Sequence, residues 1–159
     1  MPSDLTLEGL HDALQGAMGW ADSHLHAFLV DGGVEYGPPD PEWGTSAEDE
    51  SRVRLARVLR APKDRLVYQY DFGDDWQHVV VLEKVLPFDA ERHRAPLVTG
   101  GRRACPPEDC GGVCGYDRML DVLRDERDPE HEEMREWVGA DFDPNDVDVE
   151  VANLFLRGA

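Results

Sequence analysis

The sequence predicts an α+β protein that forms a single compact domain over residues 1–159, with a curved, mostly antiparallel sheet packed by helices. Three observations predict this class. Two alternating segments joined by a short turn form a hairpin at about residues 65–86. Apolar residues recur at helical spacing near the N-terminus, and two further helices in the C-terminal third begin at Asp-Pro pairs. At 159 residues the chain is long enough to bury a core.

The first element is a helix from Thr6 to Met18. Thr6 is a suitable cap, Gly19 a suitable stop, and a helical stripe is formed by Leu7, Leu10, Leu14 and Met18. Residues 24–30 then alternate in period two, which predicts a strand with one face formed by His24, His26, Phe28 and Val30. A short strand follows at VEYG.

The segment from Ser46 to Arg60 has two interpretations. Ser46 with Asp49 resembles a capping box, which predicts a helix toward Arg60. The alternative is a loop, a short strand at residues 52–55 and one helical turn. Periodicity alone does not decide between them.

The hairpin is the clearest signal in the chain. RLVYQYDF places Leu66, Tyr68, Tyr70 and Phe72 on one face, GDD makes the turn, and the second strand runs from Trp76 to Leu86. Three helices predicted in the last third of the chain are expected to pack against the sheet. The first of these helices has an apolar stripe formed by Tyr116, Met119, Leu120 and Leu123. The second runs from Asp128 to Gly139, and its predicted inner face is formed by Met134, Trp137 and Val138. The third is predicted to pack through Val151, Leu154 and Phe155.

The net charge of −18, from 34 acidic and 16 basic side chains, repels phosphate backbones and disfavours a nucleic-acid partner. No stretch approaches the ~20 consecutive apolar residues of a membrane span, and the first ten residues lack the features of a secretory signal. Three cysteines without an export signal predict a cytoplasmic protein with reduced thiols.

Two metal sites are conceivable from ligand types. Cys105, Cys110 and Cys114 have C-x4-C-x3-C spacing, but zinc would need a fourth ligand from His93, His131 or an acid, so buried or free thiols are favoured. His24 and His26 share a strand face, and a carboxylate–histidine site for hydrolysis could add His78 and the acids Asp71, Asp74, Asp75, Glu108 and Asp109. Because apolar residues continue that strand face, hydrogen-bonded core histidines are favoured. We therefore expect no cofactor, with zinc or another divalent metal as the alternative.

A loop from Arg102 to Tyr116 (RRACPPEDCGGVCGY) combines glycines with the chain's one basic concentration, completed by Arg92, His93 and Arg94. It could hold an anion, although its arginines could equally pair with carboxylates. We expect it to form a surface for a small ligand together with the DFGDDWQH turn. The candidate residues are Asp71, Asp74, Trp76, His78, Arg102, Arg103, Glu108 and Asp109; Trp76 could instead anchor the hairpin to the core.

Four blocks together resemble a known family: LHDALQGAMGWADSHLHAF, YDFGDDWQHVVVLEKVL, GGRRACPPEDCGGVCGY and DPEHEEMREWVGADFDP. In order and spacing they resemble the plasmid Ri ORF-three-like family, also labelled the transposon-passenger TnpR family. The resemblance implies a compact α+β domain with no established catalytic residues or substrate, and other residues often stand at the three cysteine positions. It favours a non-catalytic binding or accessory module of plasmids or mobile elements. A metal-dependent hydrolase or nuclease and a nucleic-acid-binding accessory protein are the alternatives.

The chain also departs from the family pattern. Members usually begin with an extended segment containing a Trp-Arg pair, whereas this chain starts almost directly at the first helix. A missing strand would leave a sheet edge or an apolar face uncovered. The sequence therefore predicts a homodimer or another edge-strand partner.

Overall fold

The fold is an α+β arrangement built on one open five-stranded sheet, as the sequence predicts. The computed structural model describes residues 1–39, 47–87, 89 and 95–158. Sheet order is β3-β2-β1-β4-β5. The strands are β1 (His26–Val30), β2 (Val34–Gly37), β3 (Glu48–Asp49), β4 (Arg65–Tyr70) and β5 (Trp76–Val81). All neighbours are antiparallel except β2 and β3, which are parallel.

Five helices accompany the sheet in the described residues. They are α1 (Leu7–Met18), α2 (Leu55–Val58), α3 (Gly112–Arg124), α4 (His131–Val138) and α5 (Val149–Gly158), with a 3-10 turn at Glu50–Arg52. The predicted ends of α1 are confirmed: the Thr6 side chain accepts a hydrogen bond from Gly9 N at 3.1 Å, and Gly19 ends the helix at φ 73°. None of the described helices is long and apolar enough to cross a bilayer.

The core lies between α1 and the inner face of the sheet. Leu7 and Leu10 of α1 are fully buried, as are Phe28 and Tyr68 of the sheet. Alternation along the strands predicts this inner face correctly, because side chains two residues apart share one side of a strand. The face runs across three strands, since Phe28 is paired with Tyr68 and Tyr68 with His78.

The outer face of the sheet and the β5 edge carry exposed apolar side chains. Leu29, Val67 and Val79 are cross-strand neighbours on that face, and Val79 is 63% exposed. Val81 is also exposed. β5 pairs only with β4 among the described residues, so its other edge is open. The open edge and the exposed apolar side chains favour the predicted homodimer, which stays a prediction.

The hairpin is confirmed, with two corrections. β5 ends at Val81 and not at Leu86. Phe72 does not continue the inner face but is 48% exposed. β4 ends at Tyr70, because Asp71 adopts the left-handed conformation with φ 53°. The alternation that predicted Phe72 as buried stops where the turn begins.

The segment before the hairpin follows the second interpretation in its single helical turn, but the strand predicted at residues 52–55 is reduced to one bridge at Arg54. β3 and the 3-10 turn precede a single helical turn, α2, and Arg54 bridges to Thr6. Asp49 caps the 3-10 turn through Ser51 N. Ser46, the other half of the predicted capping box, lies outside the described residues.

The inner face predicted for α5 is wrong, and that predicted for α4 is only half-buried, at Met134 and Val138. No residue of α4 is buried, and Trp137 is 51% exposed. In α5 the predicted residues Val151, Leu154 and Phe155 are all exposed, and the buried residue is Ala152. α5 packs on α1 at Gly16, whose missing side chain lets Leu156 approach closely. Leu156 of α5 therefore packs against a glycine of α1, whereas the three predicted side chains face outward.

Candidate functional site

The two segments predicted to form a ligand surface do meet in the structure. The Asp74 carboxylate accepts a hydrogen bond from Gly111 N at 3.0 Å. Gly112 lies so close to Asp74 that an added Cβ would be 2.4 Å from its carbonyl oxygen, and its φ is 65°. Glycine is required there for both steric and conformational reasons.

Glu108 fixes the loop from its other side. Its carboxylate accepts hydrogen bonds from Ala21 N at 3.0 Å, from the Ser23 hydroxyl at 3.2 Å and from the Tyr70 hydroxyl at 2.5 Å. Trp20 Nε1 also donates to the Pro106 carbonyl at 2.9 Å. The loop is thus attached to the segment after α1 and to β4.

These contacts set the protonation of Glu108 and Tyr70. Burial alone would raise the pKa of Glu108, but the hydrogen bonds from Tyr70, Ala21 and Ser23 outweigh burial and hold it below its ordinary value. Burial, together with the bond to Glu108, raises the pKa of Tyr70 to about 12. Glu108 is therefore a charged acceptor and Tyr70 a neutral donor near pH 7.

Between these anchors, Asp109 comes together with His24 and Asp71. His24 Nε2 is 3.0 Å from Asp109 Oδ1 and 3.6 Å from Asp71 Oδ2. Asp71 is held in place because its backbone N donates to Leu25 O at 2.9 Å and its Oδ1 accepts from Gly73 N at 2.9 Å. Its second oxygen, Oδ2, is directed toward His24. We call His24, Asp71 and Asp109 the three-residue site.

The geometry of the three-residue site suits a metal ion better than a hydrogen bond. His24 Nε2 is shielded from solvent yet has no hydrogen-bond partner, since its contact with Asp109 is close but misaligned. All three ligand atoms lie within 4.8 Å of one another. Ligands about 2.1 Å from one ion are separated by roughly 3.0 Å at right angles and roughly 3.4 Å in a tetrahedron. The two measured distances from His24 are close to these separations.

Two other predicted ligand residues face the core. Trp76 is 8% exposed and packs near Trp20, with ring centroids 6.3 Å apart. The His78 and Trp20 rings form a T-shaped pair with centroids 5.4 Å apart. Burial lowers the pKa of His78. The position of Trp76 agrees with the alternative interpretation, that it anchors the hairpin to the core.

Arg102 and Arg103, the two arginines predicted to bind a ligand, are exposed. Neither forms an ion pair with a described residue. Arg92, His93 and Arg94, which complete the predicted basic concentration, lie outside the described residues. The described part of the loop therefore contributes two solvated cations.

The cysteines belong to no group of three potential ligands in the described part of the chain. Burial raises the pKa of Cys105 to about 12 and that of Cys110 to about 11. Both pack against the core, whereas Cys114 is exposed. Since zinc is bound by thiolates, these positions do not support the C-x4-C-x3-C interpretation.

His26 lies apart from His24, in a buried polar network that sequence reasoning missed. Its Nε2 contacts both Glu50 oxygens at 3.0 Å, and its ring stacks on His11 at 3.6 Å. His11 in turn contacts the Tyr68 hydroxyl at 2.8 Å and Asp22 at 3.0 Å. The Tyr68 hydroxyl also accepts a bond from Gln15 at 2.9 Å.

This network does not form a metal site, although His11, Asp22 and His26 lie close enough together. The two imidazole rings are 7° from parallel, so their in-plane lone pairs cannot converge on one ion. Gln15 presents its amide nitrogen to Tyr68 and its amide oxygen to Asp22 N, so among these contacts only His11 Nδ1 can accept the hydrogen of the Tyr68 hydroxyl. His11 is therefore neutral, in agreement with a pKa lowered by burial and by neighbouring His26.

A signal for the network was present in α1. His11 and Gln15 are four residues apart and lie on the helix side that carries Leu7 and Leu14. Polar residues within an apolar stripe require buried partners. Tyr68, at the centre of the predicted inner face, was the available partner.

Comparisons with known proteins identify the family. A model described as "Plasmid pRiA4b ORF-3-like protein" matches residues 1–151. The chain is 37% identical over 155 residues to "Uncharacterized protein y4hQ" of Sinorhizobium fredii (strain NBRC 101917 / NGR234), covering 97% of this chain and 76% of that protein. The crystal structure of MM3350, a protein of unknown function from Methanosarcina mazei Go1, superimposes with a TM-score of 0.82 at 38% identity, covering 94% and 84% of the two chains. The chain thus belongs to the plasmid pRiA4b ORF-3-like protein family, the family that its four sequence blocks resemble.

Proposed function

We propose that the protein is a metal-dependent binding module that holds one divalent transition-metal ion at His24, Asp71 and Asp109. The unpartnered, solvent-shielded Nε2 of His24, directed toward two carboxylates, carries the proposal. Without an ion, two negative charges lie close together and a buried nitrogen lacks a partner. A cation satisfies all three groups.

The donor set favours a metal of intermediate softness. Imidazole suits zinc, iron, copper and nickel, whereas carboxylates suit manganese and magnesium, so one nitrogen with two oxygens fits Zn²⁺ or Mn²⁺. The Asp109 side chain is 71% exposed, so the ion would border solvent. A ligand with an oxygen donor could then complete the coordination.

Hydrolysis is the second candidate, since three protein ligands with an open position are typical of catalytic zinc sites. Glu108, a further carboxylate that interacts electrostatically with His24, already accepts three hydrogen bonds, and its pKa is lowered. A general base needs a free lone pair within reach of the attacking water. Glu108 retains at most one of the roughly four acceptor positions of a carboxylate, and its lowered pKa makes it a weak base, which favours binding over catalysis.

Metal titration of purified, tag-free protein tests the proposal. We expect one Zn²⁺ or Mn²⁺ per chain by elemental analysis after dialysis, and at least a tenfold weaker affinity in Asp109→Asn and Asp71→Asn. Asparagine at position 71 keeps the oxygen that the turn uses, so the fold is retained. The matched control is Asp75→Asn, because Asp75 lies in the same turn but contacts Gln69 and Gln77.

The outcomes separate the two functions. Equal metal content in wild type, Asp109→Asn and Asp75→Asn would refute the three-residue site. Metal-stimulated cleavage of a chromogenic phosphodiester or ester, lost in Asp109→Asn, would favour the hydrolase. Binding without cleavage would leave the binding module as the function. The family description supports an association with plasmids, and an association with mobile elements stays a prediction.

A further inference from the structure

A cleft of about 400 Å³ lies between α3 and α4. Its apolar lining includes Met119, Met134 and Trp137. Met119 is buried at the base, whereas Trp137 is 51% exposed at the surface. An exposed tryptophan beside two methionines offers an apolar wall that no described residue covers.

The charged lining of the cleft is acidic. Arg118 donates to both Glu130 oxygens, at 2.8 and 2.7 Å, so these two charges compensate each other. Glu133 also lines the cleft and forms no ion pair with a described residue. The cleft therefore combines an uncompensated carboxylate with an exposed aromatic ring, in a chain of net charge −18.

We propose that this cleft binds a linear alkyl diamine or polyamine. Its methylene chain would pack on Met134, and one ammonium group would lie between the face of Trp137 and the Glu133 carboxylate. Aromatic faces attract cations, and the acidic protein raises the local concentration of cationic ligands. Charge complementarity thus selects an amine over an anionic or neutral occupant.

The cleft borders the three-residue site at Asp109, but the inference does not depend on metal binding. An amine needs Glu133 and Trp137, neither of which is a proposed metal ligand. Titrations in chelator-treated buffer therefore test the cleft alone. Failure of metal binding leaves this result unaffected.

Calorimetric titration with cadaverine and spermidine at about 0.15 M salt, where distant surface charges are screened, is the decisive experiment. We expect Glu133→Gln to weaken binding about tenfold, the loss of one charge-assisted contact. The matched control is Glu132→Gln, which removes the same charge from the same helix outside the cleft. It should change the affinity less than twofold.

Trp137→Ala should also weaken binding about tenfold, and Trp137→Phe should retain most of the affinity because an aromatic face remains. Phe155→Ala is the control, since Phe155 is 56% exposed on α5 and does not line the cleft. Equal losses in Glu132→Gln and Glu133→Gln would show general charge attraction and overturn the proposal. So would undetectable binding to wild type, or an unchanged affinity in Trp137→Ala.

Discussion

Replacement of Gly115 by alanine should destabilise the protein, although alanine is the better helix former. Gly115 lies in the first turn of α3, where the gain from alanine is at most about 1 kcal/mol. An added Cβ would lie 1.9 Å from the Cys110 carbonyl oxygen and 2.8 Å from its carbon. Real Cβ contacts are essentially never shorter than 3.0 Å, so the loop and the helix must separate by about 1 Å.

This displacement determines how much unfolding free energy the Gly115→Ala variant loses. Gly111 follows Cys110, and its 3.0 Å bond to the Asp74 carboxylate would stretch to about 4 Å, beyond hydrogen-bonding distance. Loss of a bond to a charged group costs roughly 1.5–3 kcal/mol, and overpacking costs roughly 1–3 kcal/mol. After the helix gain of about 1 kcal/mol is subtracted, the unfolding free energy should fall by about 1.5–5 kcal/mol.

Urea unfolding followed by far-UV circular dichroism measures this change. Gly100→Ala is the matched control, because nothing lies within 4 Å of its added Cβ and its φ is not in the left-handed region. The control should stay within about 0.5 kcal/mol of wild type. A Gly115→Ala variant as stable as wild type would refute the close approach of the loop to α3, and with it the positioning of Asp109.

Three further measurements test the network and the open edge. Tyr68→Phe should lower the unfolding free energy by roughly 2–4 kcal/mol in urea titrations, because buried His11 and Gln15 each lose a partner; an unchanged midpoint would contradict the network. Burial lowers the pKa of His11 and of His78, so their neutral forms stabilise the fold above pH 6.5. Stability should fall as the pH drops below 6.5, by up to about 1.4 kcal/mol per pH unit for each histidine, and a flat profile from pH 6.5 to 5 would count against both. If two copies pair along β5, light scattering should give twice 17.9 kDa for wild type and a monomer for Val79→Lys, whereas a wild-type monomer at micromolar concentration would exclude the homodimer.

The sequence predicted the central fold because local patterns there agree with burial. Thr6 and Gly19 mark the ends of α1, and alternation at Leu66, Tyr68 and Tyr70 marks the inner face of β4. Apolar periodicity predicted burial less well in α4, whose apolar face is turned toward α3 but only half-buried, and failed in α5, where the predicted side chains are exposed. At Gly16 of α1 the neighbouring residue of α5 is Leu156, whereas the Phe155 side chain is 56% exposed; a glycine on α1 permits this close helix packing.

For the site, the sequence indicated residues but not their grouping. His24 and His26 share a predicted strand face, yet β1 begins at His26, so only His24 reaches the loop. Asp71 and Asp109 are 38 positions apart, and no local spacing relates them. Their approach depends on the bonds of Glu108 and Gly111 to distant partners, and single-sequence periodicity carries no information on such contacts.

The placement of the three ligands has a consequence for how an ion would act. His24 and Asp71 flank the paired ends of β1 and β4, which are joined by the Asp71 N to Leu25 O bond. Asp109 instead lies on the loop, with φ 59° and an exposed side chain. An ion would therefore link the loop to the sheet and add to the attachments of Glu108 and Gly111. Because the ion binds the folded chain, at one hundred times its dissociation constant it would stabilise the fold by about 2.7 kcal/mol. A tenfold or greater loss of affinity in Asp109→Asn should reduce this gain to about 1.4 kcal/mol or less, without weakening the metal-free protein.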